Sequence, residues 1–106
     1  MGLFNFLRGA DINQGVQEQR DMKGSILIDV RNEDEYRSGH IPQSRNIPLP
    51  LLDRIKGLVK DRAVPLYVYC YSGSRSRQAC TALKDMGYTN VKNIGGISAW
   101  KGKVEL

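Results

Sequence analysis

A chain of 106 residues, 41% apolar and 25% charged, is long enough to bury one core of its own, and this composition excludes a largely disordered protein. The formal net charge of +5 favours small anions or acidic partners. Its basic residues are spread from Arg8 to Lys103 without interleaved aromatic clusters, so the sequence predicts no nucleic-acid partner, and no run approaches the ~20 apolar residues of a membrane helix.

The opening "MGLFNFLRG" is apolar but lacks the basic start, the long apolar stretch and the small-residue cleavage site of a secretory signal. Gly2 does not start a myristoylation motif, because Phe6 stands where Ser or Thr is needed. Residues 1–10 are read as an N-terminal apolar extension and 11–106 as one domain. A helix is predicted over "ADINQGVQEQRDMKG", with Asp11 as its cap, Ile12, Val16 and Met22 on one face and Gly24 as its stop; Gly15 weakens it. "SILIDV" is a continuous apolar run, the pattern of a strand buried on both faces of a parallel sheet.

Asn32 then caps a short helix that carries acids in its first turn and stops at Gly39. "HIPQSRNIPLP" holds three prolines and predicts irregular chain with at most a brief strand at Asn46 and Ile47, Asn46 and Pro48 serving as turn residues. A third helix is expected over "LLDRIKGLV", its face formed by Leu51, Leu52, Ile55, Leu58 and Val59. "VPLYVYC" is a second strand. A helix from Ser76 to the glycine at 87, a short strand "VKNI" and a terminal turn in "GGISAW" complete the chain. Alternating strands and helices predict an α/β domain with an open, mainly parallel sheet and helices on both faces.

In such sheets ligands bind beyond the carboxyl ends of the strands, where Cys70 stands. The loop Tyr71, Ser72, Gly73, Ser74, Arg75 leads straight into a helix, so backbone N–H groups and the positive helix end converge on the sulfur. With Arg75 and Arg77 nearby they favour thiolate, which makes Cys70 a candidate nucleophile that needs no adjacent base. The bland alternative is a buried core cysteine; the Gly/Ser loop and its arginines argue for the nucleophile. Cys80, inside a helical pattern, is read as packing. Cys70 and Cys80 are poorly placed for a disulfide, which points to a reduced, cytoplasmic protein. The one histidine, His40, reads as a structural residue in a turn rather than a base. An Arg31–Glu35 ion pair at helical spacing is the plainest role for Arg31, and Trp100 is expected at the edge of the core.

Three stretches together resemble the rhodanese-like domain: "LIDVRNEDEYRSGHIPQSRNIPL", "YVYCYSGSRS" and "GGISAW". The resemblance implies that Cys70 accepts a sulfane sulfur from a small anionic donor, thiosulfate or a persulfide, and passes it to a thiol or cyanide acceptor. It also implies that backbone N–H groups of Tyr71 through Arg75 hold the outer sulfur, that Arg75 steers the donor, that a protein persulfide is a further candidate donor or acceptor, and that no metal or other cofactor takes part. The spacing from Cys70 to Arg75, C-x4-R, is that of the sulfur-transferring members; a loop one residue longer goes with the related phosphatases and arsenate reductases. Such a phosphatase or reductase, and a non-enzymatic persulfide carrier, are the alternatives. Many thiosulfate-using relatives carry a basic residue directly after the cysteine, where this chain has Tyr71.

Overall fold

The structure is a computed structural model that describes residues 10–106. The proposed extension, Ala10 apart, lies outside the described residues. Helix α1 (Ile12–Asp21) begins at Asp11, whose carboxylate accepts the N–H groups of Asn13 and Gln14. Gly15 sits where α1 crosses the sheet: a Cβ there would strike the side chain of Ile94. The residue that weakens the helix intrinsically is thus the one that lets it lie close.

Four strands follow: β1 (Ile26–Asp29), β2 (Arg45–Asn46), β3 (Leu66–Cys70) and β4 (Val91–Gly96). They form one sheet in the order β2-β1-β3-β4, and every neighbouring pair is parallel. Between them run α2 (Glu33–Arg37), a 3-10 turn (Leu49–Arg54) continuing into α3 (Ile55–Leu58), and α4 (Ser74–Asp85). A last 3-10 turn spans Ile97–Ala99.

Alternation along the strands divides the core between two faces. Ile28, Val30, Leu66, Val68 and Cys70 face Leu52, Ile55, Val59, Ala79 and Leu83, whereas Leu27, Tyr67, Tyr69 and Ile94 face Ile12, Val16 and Ile41. Each fully buried Leu, Ile or Val contributes about 1.5–3 kcal/mol, which accounts for the apolar runs of residues 26–28 in β1 and 66–70 in β3. Both faces are covered, as the alternating pattern predicts.

The third helix differs from its prediction. Pro48 and Pro50 supply no N–H at its start, and Leu51 departs from helical geometry (φ −112°, ψ 21°), so only four residues become α-helix. The change of phase turns Leu51 and Leu58 outward, 40% and 57% exposed, and leaves Leu52, Ile55 and Val59 to face the core. Helix α4, by contrast, starts two residues earlier than predicted, at Ser74. Among the described residues no helix is long and apolar enough to cross a membrane.

Candidate active site

Cys70 ends β3 on the face covered by α4, at the carboxyl end of the parallel sheet. It is only 1% exposed, so its sulfur forms the floor of the loop that follows. Gly73, at φ +102°, takes a left-handed conformation open to glycine without penalty, and this curl turns its N–H toward Sγ at 3.0 Å. In the first turn of α4, the Ser76 hydroxyl lies 3.4 Å from the same sulfur. Burial pushes the thiol pKa up more than any other single influence does, but hydrogen bonds from the Ser76 side chain and from the N–H groups of Ser76, Gly73 and Ser72 together outweigh it, and the net shift is downward. Among the described residues Cys80 has no such donors, and burial pushes its thiol up to about 11. Both cysteines are free.

The loop is braced from β4. Gly96 pairs with Cys70, and a Cβ on Gly96 would meet the Tyr71 carbonyl and the Ser72 Cα, so only glycine allows the loop to pass this close. The Tyr71 carbonyl also accepts the Ser98 N–H at 3.1 Å, while the Tyr71 side chain is 54% exposed beside the cysteine. Asn93 reaches the Gly73 carbonyl and the Ser76 hydroxyl. A depression of about 490 Å³ opens on this side, lined in part by Ser72, Gly73, Ser74, Arg77, Asn93 and Ser98.

Arg75 is bound through both terminal nitrogens to Glu35, at 2.7 and 3.0 Å. The guanidinium fork that the resemblance assigns to a donor anion is therefore held by a carboxylate of the same chain. The expected Arg31–Glu35 pair does not form. Arg31 turns instead to Asp29, with Nη2 2.8 Å from Oδ2, and both side chains are almost wholly buried. Two residues apart at a strand end, the pair closes a tight local loop. Helical spacing could not bring Arg31 to Glu35, because Arg31 precedes the cap of α2 and lies outside the helix.

The remaining predicted residues have structural partners. Asn46 donates to the carbonyls of Asp29 and Arg31, tying β2 to the end of β1. His40 stacks on Tyr36 with ring centroids 3.7 Å apart, its Nδ1 2.9 Å from the Tyr36 carbonyl, and its backbone bridges Glu105. Trp100 packs at the margin of the second core face and donates Nε1–H to the Lys103 carbonyl. Among the described residues no group of three or more His, Cys, Asp or Glu side chains stands together as a metal site.

The sequence matches the family described as the rhodanese-like domain over residues 13–103. The chain belongs to the rhodanese-like family. A "Sulfurtransferase" of Allochromatium vinosum is 41% identical over 86 residues, which span 79% of this chain and 78% of that protein. The "Thiosulfate sulfurtransferase PspE" of Escherichia coli is 42% identical over 71 residues, 66% of this chain and 68% of that protein. A solved structure described as a rhodanese with anions from E. coli superposes with a TM-score of 0.71 at 36% identity, covering 76% of this chain and 96% of that one.

In this rhodanese-like domain the three signature stretches converge. The first supplies Glu35 and the Asp29–Arg31 pair, the second the cysteine loop, and the third Gly96 and Ser98 at the back of that loop. Sequence reasoning missed Ser76 and Asn93. The signal for Ser76 was its place on the first turn of the helix behind the cysteine; Asn93 had none, since its reach depends on the strand pairing.

Proposed function

We propose that this domain transfers sulfane sulfur through a persulfide on Cys70. The observation that carries the reading is the buried Cys70 sulfur at a strand end, with the Gly73 N–H at 3.0 Å and the Ser76 hydroxyl at 3.4 Å. Relatives named as sulfurtransferases support rhodanese-type sulfur transfer. In the first half-reaction the Cys70 thiolate attacks the outer sulfur of the donor, the donor's S–S bond breaks, and sulfite or a thiolate leaves with the electron pair. In the second, a thiolate or cyanide attacks the outer sulfur of the persulfide, and Cys70 departs as thiolate.

The loop N–H groups from Tyr71 to Arg75 are assigned to the outer sulfur, as a cradle for its negative charge. Arg75 is paired with Glu35 and so brings little net charge to the loop, whereas Arg77 in the adjoining depression presents a cation to an arriving anion. The six-residue span from Cys70 to Arg75 favours sulfur transfer over phosphatase or arsenate reductase chemistry, whose tetrahedral oxyanions need a wider cradle. Tyr71 offers no charge to thiosulfate, so a low-molecular-weight or protein persulfide is the better-matched donor. Two free cysteines agree with a reducing compartment, and we assign the domain to the cytoplasm.

The test is intact-protein mass after incubation with thiosulfate, and separately with glutathione persulfide, for the parent and for Cys70→Ser. One added sulfur atom, removable by cyanide and present only with Cys70, is the expected result. No sulfur gain from either donor, together with Cys70-dependent hydrolysis of an aryl phosphate or reduction of arsenate, would replace sulfur transfer with oxyanion chemistry. A protein that loads sulfur but releases it to neither cyanide nor thiols would be a carrier.

A further inference from the structure

The buried hydroxyl of Ser76 has one proton and three acceptors within reach: Asn93 Oδ1 at 2.7 Å, the Gly73 carbonyl at 3.1 Å and Cys70 Sγ at 3.4 Å. Ser76 is fully buried, so bulk water does not settle the competition. The Asn93 carboxamide is locked in one orientation by two backbone groups. Its Nδ2 donates to the Gly73 carbonyl at 3.2 Å, and its Oδ1 accepts the Gly95 N–H at 3.0 Å. Flipping the amide would set a donor against the Gly95 N–H and an acceptor against the Gly73 carbonyl. The lock comes from an irregularity in the sheet: the pairing of β3 with β4 skips Ile94, so that Val68 faces Asn93 while Tyr69 faces Gly95.

We propose that Asn93 and Ser76 form a hydroxyl switch behind Cys70, in which Asn93 holds the Ser76 proton while Sγ carries sulfur and releases it to Sγ as the Cys70 thiolate departs. The inference rests on the sulfur-transfer reading above. In the persulfide the negative charge lies on the outer sulfur and Sγ is neutral, so the shorter bond to Asn93 wins. When an acceptor thiolate takes the outer sulfur, the bond between the two sulfurs breaks and its electron pair stays on Sγ. That charge draws the Ser76 O–H across, because hydrogen bonds to a charged acceptor are the stronger ones. The proton stays on Ser76 oxygen throughout and only its direction changes. Ser76 touches the reacting sulfur, whereas Asn93 is a positioning residue that acts through it.

The experiment is the pH profile of Cys70 alkylation by iodoacetamide, read on the Cys70 peptide, beside the rate of persulfide discharge to cyanide. Ser76→Ala is expected to raise the Cys70 pKa by about one unit and to slow discharge about tenfold. Asn93→Ala is expected to lower the Cys70 pKa by about half a unit, by freeing the hydroxyl for sulfur. The double variant should titrate with Ser76→Ala. If Asn93→Ala fails to fold, Asn93→Asp takes its place: as a stronger, charged acceptor it should raise the Cys70 pKa, and by less when Ser76 is also replaced. A rise with Asn93→Ala, an unchanged pKa with Ser76→Ala, or equal Asn93→Asp shifts with and without Ser76 would overturn the switch. The alkylation profile needs no sulfur donor, so failure of the switch is separable from failure to load sulfur.

Discussion

Glu35 and Arg75, 40 residues apart in sequence, meet in a two-armed ion pair that ties α2 to the first turn of α4, directly after the loop that follows the candidate nucleophile. Hydrogen bonding to Arg75, more than any other influence, holds the Glu35 carboxyl down at about 2, against an ordinary value of 4.5. A carboxyl depressed in the folded state stabilises the fold fully above its ordinary value, and that contribution is lost as pH falls from about 4.5 through about 2. The two side chains are 35% and 30% exposed, so solvent screening reduces the contribution to about 1 kcal/mol. Urea unfolding of Glu35→Gln should show a deficit of that size at pH 7, shrinking across this acid window. A deficit that stays constant from pH 7 to pH 2 would mean that the pair is not its source.

The site was legible in the sequence where its parts are local. A cysteine closing an apolar run, a glycine three residues later and a helix start can be read from neighbours alone, and the loop of Tyr71 to Arg75 follows from them. The partners were not legible. Glu35 reaches Arg75, and Asn93 reaches Ser76, only once the strand order sets β1 and β4 on either side of β3. Spacing misled at Arg31, because the residue lies before the helix whose periodicity suggested its partner, and at Leu51 and Leu58, because prolines changed the helix type and with it the phase.

The two thiols should separate cleanly in reactivity. Burial raises the Cys70 thiol but the loop donors outweigh it and bring it below its ordinary value, whereas burial pushes Cys80 up to about 11. The difference in thiolate fraction at pH 7 is then roughly a hundredfold or more. Peptide mapping after brief exposure to limiting iodoacetamide should find the label on Cys70 with Cys80 almost untouched. Equal labelling would show that the loop does not activate its cysteine.

Removing the carboxylate beside Arg31 should cost far more than removing Glu35. Asp29 is fully buried and Arg31 only 5% exposed, so Asp29→Asn leaves a guanidinium inside the protein without its counter-charge. Breaking a buried pair in this way typically costs about 3–5 kcal/mol. The Gly39 carbonyl, 2.8 Å from Arg31 Nη2, offsets only part of that. Guanidinium unfolding of Asp29→Asn should therefore show a loss of about 3 kcal/mol. A loss under about 1 kcal/mol would indicate that Arg31 finds water instead.

Donor preference should turn on Tyr71. Its side chain is half exposed directly after the nucleophile, and the arginine fork of the loop is already bound to Glu35. An anionic donor thus meets an aromatic ring where a cation would attract it. Tyr71→Arg adds one positive charge within a Debye length of the arriving thiosulfate, which should raise kcat/KM for thiosulfate about five- to tenfold at low ionic strength. The gain should fall as salt is added, because the charge acts through solvent. Turnover with a persulfide of low charge should change little, since its approach depends less on charge. If thiosulfate turnover is unchanged by Tyr71→Arg at low salt, this position does not set the donor, and Arg77 in the adjoining depression becomes the residue to replace.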